Sequence, residues 1–121
     1  MLIKNKIIKI IFFVISILSL NLNIYAEEFN ISATEIIVDK ENNIVIGKGE
    51  VKALDTEGKL IEADKVIYER SKEFLTAEGS VKINDNEGNI LKTNKATYDK
   101  KKEIILTFMD SEIALKNGYK L

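Results

Sequence analysis

The side chains with chemical capability in this chain are mainly carboxylates and lysines: 19 Asp and Glu stand beside 18 Lys and Arg, with no His and no Cys among 121 residues. That composition removes thiolate and imidazole metal sites, Cys or Ser–His nucleophile pairs, haem ligation and disulfides. A metal would need carboxylates alone. Asp55 with Glu57, and Asp85 with Glu87, offer too few oxygens per turn for the roughly six to eight that calcium takes. Asp39, Glu69 and Asp99 are the candidates for carboxylate hydrolysis, yet each directly precedes a basic residue at the start of a short polar stretch, where a turn cap accounts for it. Lys100, Lys101 and Lys102 form the one basic cluster, and its place in an expected turn reads as solvated surface rather than a phosphate site. The expectation is no catalysis, no cofactor and no metal.

The elements that position these residues begin after a distinct N-terminal segment. Lys4, Lys6 and Lys9 precede an apolar run from Ile10 to Leu20, and Ile24-Tyr25-Ala26 leads into Glu27-Glu28. The run is well short of the roughly 20 residues of a membrane-spanning helix, so residues 1–26 read as a secretory signal cut after Ala26, with an uncleaved anchor as the alternative. Residues 27–121 then form one domain. They carry 15 basic and 19 acidic groups, a net charge of −4, which argues against nucleic acid as a partner. A chain that is 45% hydrophobic and 31% charged is expected to fold.

Residues 31–60 align on 61–90 without a gap at nine identities, among them Ile31/Ile61, Ala33/Ala63, Gly49/Gly79, Val51/Val81 and Asp55/Asp85. A fainter third copy follows, with Lys95, Tyr98 and Gly118 repeating Lys65, Tyr68 and Gly88. A period of this length implies stacked units that cannot bury their apolar faces alone. Within a unit the periodicity is two, as in strands, but the phase changes. Ile31 and Ala33 are odd, Ile36, Val38, Ile44 and Ile46 even, and Val51 and Ala53 odd again; Ile61 and Ala63 give way to Val66, Tyr68 and Phe74, then to Val81 and Ile83. Such switches, beside Asp64-Lys65 and beside a glycine, predict β-bulges or corners that bend the sheet back over itself.

Asp55-Thr56-Glu57-Gly58 and Asp85-Asn86-Glu87-Gly88 suit type I turns closed by a left-handed glycine. With the short polar stretches at 40–43, 70–73 and 100–103, they predict that every connection is a hairpin and that the fold is all-β and antiparallel. Strand centres such as Ile36-Ile37-Val38, Val66-Ile67-Tyr68 and Ile104-Ile105-Leu106 are apolar on both faces. A small sandwich burying them is one reading. The other is an aliphatic slit between the faces of a folded-over sheet, suited to acyl chains. Gly118-Tyr119-Lys120-Leu121 stands in register with the start of a fourth unit, which leads to the expectation of a longer native product or an edge open to strand addition.

The segments Ile61-Glu62-Ala63-Asp64-Lys65-Val66-Ile67-Tyr68 and Thr76-Ala77-Glu78-Gly79-Ser80-Val81-Lys82-Ile83 resemble the repeat of the OstA-like lipopolysaccharide-transport family, which includes LptA and the N-terminal part of LptD. The third copy departs from it at Asn94 and Met109. The resemblance implies a curved β-jellyroll in the periplasm that holds lipid A acyl chains of lipopolysaccharide in its slit and stacks edge to edge with like domains. By position, the lipid-groove residues are Ile36, Val38, Ile44, Ile46, Val51, Val66, Tyr68, Phe74, Val81 and Ile83. The mid-strand ending favours an LptD-type domain attached to an outer-membrane barrel, ahead of an LptA-type bridge and a membrane-anchored LptC-type subunit. From a different class, a secreted filament or adhesin module would need the open edges but not the slit.

Overall fold

The computed structural model describes residues 28–116 and Gly118, with Met109 by its backbone alone; the expected signal at 1–26 and the fourth-unit strand at 119–121 lie outside the described residues. Seven strands form one open antiparallel sheet: β1 (Phe29–Ser32), β2 (Glu35–Asp39), β3 (Ile44–Asp55), β4 (Leu60–Glu69), β5 (Phe74–Asn84), β6 (Ile90–Asp99) and β7 (Ile104–Ala114). The order runs from β1 through β3, β4, β5 and β6 to β7, and β2 also pairs with β3. A single 3-10 turn at Arg70–Lys72 is the one helical element among the described residues.

Every connection from β2 to β7 is a hairpin as expected, but the first, from β1 to β2, is not. β1 pairs with the far half of β3 (Phe29 with Asp55) and β2 with its near half (Val38 with Val45), so the two are one strand interrupted at Ala33-Thr34. The interruption faces Gly49, whose carbonyl accepts the Thr34 amide at 2.9 Å.

Turn chemistry follows directly from residue type. The Asp55 carboxylate accepts the backbone amides of Glu57 and Lys59 at 2.9 and 2.8 Å, and Asp85 does the same for Glu87 and Asn89. Gly58 and Gly88 close the turns at φ of 90° and 95°, a conformation without steric cost only for glycine. The opposite hairpins close on Asn43, Glu73 and Glu103, also left-handed and spaced 30 residues apart.

The bends lie at the middle of the long strands. Register shifts fall between Lys48 and Val51 on β3, and between Glu78 and Val81 on β5 where it meets β6. At each, two successive residues are left-handed: Gly49 (φ 80°) and Glu50 (46°), then Gly79 (82°) and Ser80 (46°). β3 and β5 therefore carry one extra residue relative to the strands beside them. Three residues separate buried Ala77 from Val81, against two between Ala63 and Val66 on β4. This corrects the expected phase on two strands. The buried face stays odd along β3 (Val45, Val51, Ala53) and β5 (Leu75, Ala77, Val81, Ile83), because the inserted residue absorbs the switch. Only β4, β6 and the β1–β2 pair change parity. A register shift also lies opposite Thr93 and Lys95 on β7, so the irregularity persists where Met109 replaces the glycine.

Asp64 explains why β5 needs glycine at its bend. A Cβ on Gly79 would run into the Asp64 carboxylate, and on Gly49 it would press on Thr34. Gly79→Ala should therefore cost about 2–3 kcal/mol, from the positive φ and the collision together. In urea unfolding, Asp64→Ala combined with Gly79→Ala should recover part of that loss by removing the carboxylate, leaving the φ cost and the close approach of the Cβ at position 64, 2.9 Å away.

Candidate functional site

Directly paired residues share a face of the sheet, and the buried ones identify the inner face. One row on it runs Val38, Val45, Tyr68, Leu75, Tyr98, Ile105; on the other side of the bend another runs Ile31, Ala53, Ile61, Ile83, Leu91, Ile113. The two sides meet. Phe29 pairs with Asp55 at one end of the strands, yet its ring lies edge-on to Tyr68 at 4.9 Å and to Tyr98 at 5.8 Å, both near the opposite end. In a flat sheet the nine steps from Lys59, just before β4, to Tyr68 would hold those ends about 30 Å apart. The bends bring them into contact, and the apolar residues between them form the core.

A polar cluster ties the same two ends. The Asp55 side chain is 0% exposed and that of Lys100 6% exposed, with Lys100 Nζ 3.5 Å from Asp55 Oδ2 and 3.2 Å from Glu57 Oε1. The Tyr98 hydroxyl donates to Asp55 Oδ2 at 3.4 Å and accepts from Lys59 Nζ at 3.2 Å. Burial works to lower the Lys100 pKa, but the hydrogen bond to Glu57 and the charge of Asp55 outweigh it, and the ammonium is held above the ordinary lysine range. The solvated-turn expectation thus fails for Lys100: the chain turns at 100–103, but the side chain points back to the end of β3. Lys101 and Lys102 are exposed as expected.

The inner face does not stop at the core. At the β2 edge it continues onto Ile36 and Val38, 46% and 48% exposed, and at the β7 edge onto Thr107 and Ser111, both exposed. Among the residues expected to line a slit, Val51, Val66, Tyr68, Val81 and Ile83 are buried on the inner face, and Ile36 and Val38 extend it to the edge. Ile44, Ile46 and Phe74 are half-buried on the outer face, separated from the others by the thickness of the sheet. Compared with protein-family models and with curated proteins, the chain matches none.

Leu75, Tyr98 and Phe29 also belong to this interior and were not among the expected residues. Tyr98 carried a usable signal, since it repeats Tyr68 one period on. Asp55 and Lys100 carried none, because 45 residues separate them and each suits a turn by itself. Between the two halves of the sheet the inner-face side chains pack against one another, and the buried charges of Asp55 and Lys100 pair at one end.

Removal of the Lys100 charge would leave the buried Asp55 carboxylate with the Tyr98 hydroxyl on Oδ2 and two backbone amides on Oδ1, and no cation in contact with it. Lys100→Met should cost about 3 kcal/mol or more in chemical unfolding, and Asp55→Asn together with Lys100→Met should recover much of it. A raised lysine pKa supplies stability that is fully present below the unfolded-state value and fades only as pH climbs through the folded one. The Lys100→Met penalty should accordingly be the same at pH 6 and pH 9.

Proposed function

We propose that this chain is a periplasmic carrier domain for lipopolysaccharide, a curved β-jellyroll of 30-residue repeats whose folded-over sheet takes lipid acyl chains along its inner face. The observation that carries this reading is the continuation of the apolar inner rows past the core to exposed Ile36 and Val38, on an edge that no other described strand pairs. A sheet that only needed a core would end in polar side chains there. Val66 and Val81 are the residues against which acyl chains would pack, with Ile36 and Val38 at the entrance. The residue pattern of the OstA-like family supports the same assignment. Edge-strand addition to like domains, as an LptD-type N-terminal domain beside an outer-membrane barrel or as an LptA-type bridge, fits the two edges that the described strands leave open. Export by an N-terminal signal would bring the domain to that compartment, and no turnover of substrate is part of the proposal.

A second reading, a secreted structural β-module, draws on the near-complete burial of Val66 and Val81 by the chain's own side chains. It needs edges and no guest. Photocrosslinking distinguishes the two, with probes at Val66 and Val81 on the inner face, Phe74 on the outer face and Asn86 in a turn. Adducts with lipopolysaccharide at the two inner positions, at least tenfold over Phe74 and Asn86, are expected for a carrier. Equal labelling at all four, or none in folded protein, would leave the structural module as the better reading.

A further inference from the structure

A guest on the inner face needs room that the folded chain does not leave. Ile61 and Val66 are fully buried and Val81 nearly so, all within one packed cluster of inner-face side chains. For an acyl chain to enter, one of those side chains has to withdraw, and the strands differ in how firmly they hold them. β4 and β5 have ten and eleven residues and a partner strand on either side. β1 has four residues, pairs with β3 alone among the described strands, and is set off from β2 by the break at Ala33-Thr34.

The inward side chains of β1 are Phe29 and Ile31, opposite Asp55 and Ala53. Phe29 is 1% exposed, and its ring reaches over to the other half of the sheet, edge-on to Tyr68 and Tyr98. Its place there is set against a path from the surface. Exposed Val38 at the β2 edge begins an inner row that continues through Val45 to Tyr68, where the row meets the Phe29 ring. A swing of β1 about Ala33-Thr34 would break its four pairs with β3 and no ladder between the longer strands. Short edge segments of this kind open at a small fraction of the cost of global unfolding. The opening would vacate a socket of the size of an aromatic ring between Tyr68 and Tyr98, and methylenes entering it would replace the apolar contact that the ring gives up.

We infer that Phe29 is a plug carried on a detachable edge strand, and that the socket it fills between Tyr68 and Tyr98 is where an acyl chain lodges once β1 swings away. The inference rests on the carrier reading and adds to it the place of the chain and the element that yields.

Its test uses the full chain as purified from an exporting host, with a photoprobe at Val66 and lipopolysaccharide as the ligand. Asn30 and Leu54 are directly paired on the outer face, both are exposed, and the chain has no cysteine of its own. Asn30→Cys with Leu54→Cys, joined by a thiol linker that spans about 5 Å, fastens β1 to β3 without touching the interior. Linking should lower the lipid adducts at least tenfold against the same variant with its thiols capped separately. Phe29→Ala, with unchanged circular dichroism, should raise them about threefold; the linked variant keeps Phe29 and tests the swing even where Phe29→Ala does not fold. In the unlinked protein, hydrogen exchange of the β1 amides should quicken at least threefold when lipopolysaccharide is added. Adducts that linking leaves unchanged, folded Phe29→Ala that labels no more than the parent, or β1 amides that the lipid does not quicken would overturn the plug and leave the carrier standing. No adduct in linked or unlinked protein would overturn both.

Discussion

The bend at mid-strand is the constraint on which the rest of the molecule depends. An antiparallel sheet of ten- to twelve-residue strands would, if flat, leave both faces in water. Two consecutive left-handed residues on β3 and again on β5 insert an unpaired residue and turn the strands back, so that the sheet becomes its own second layer. Glycine is needed at the first of these positions because an Asp or Thr side chain from the neighbouring strand occupies the place of a Cβ. The aspartate of one segment and the glycine of the next are two sides of one contact. With the strands bent, Phe29 at one end packs edge-on against Tyr68 and Tyr98 at the other.

The Asp55–Lys100 pair acts at the other extreme of the strands. Two charges removed from water contribute little net stability when both are present, and much instability when one is lost. Their role is in specification: Asp55 already holds its own turn through two amide hydrogen bonds, and the remaining oxygen meets Tyr98 and Lys100 only if the ends close in the observed alignment. Closure of the sheet and formation of the β3–β4 turn are thereby joined through one carboxylate.

Much of the fold could be read from the sequence because its signals are local. Alternation of apolar residues, Asp-x-x-Gly turns and the absence of helical periodicity point to antiparallel strands, and the parity change at Asp64-Lys65 marks a real bend. The phase of β3 and β5 was not legible, since Phe74 and Leu75, or Ile44 and Val45, are equally apolar and only the inserted residue decides which faces inward. For the same reason Ile44, Ile46 and Phe74 fell on the opposite face from Val51, Val66 and Val81. The role of Lys100 was hidden by its neighbours, because three lysines in a turn look alike until one finds a buried carboxylate 45 residues away.

Alternation of the extra residue also makes the sheet a directional object. β3, β5 and β7 have three residues between successive inward positions at the bend, whereas β4, β6 and the β1–β2 edge have two. Each ladder joins one kind to the other, as a bulge requires. The two margins are therefore unlike, in the way that the ends of a zip are unlike. β7 is matched along its whole length by a strand of the β1–β2 kind and mismatched at the bend by its own kind, so a polarity is written into the molecule without any asymmetric end group.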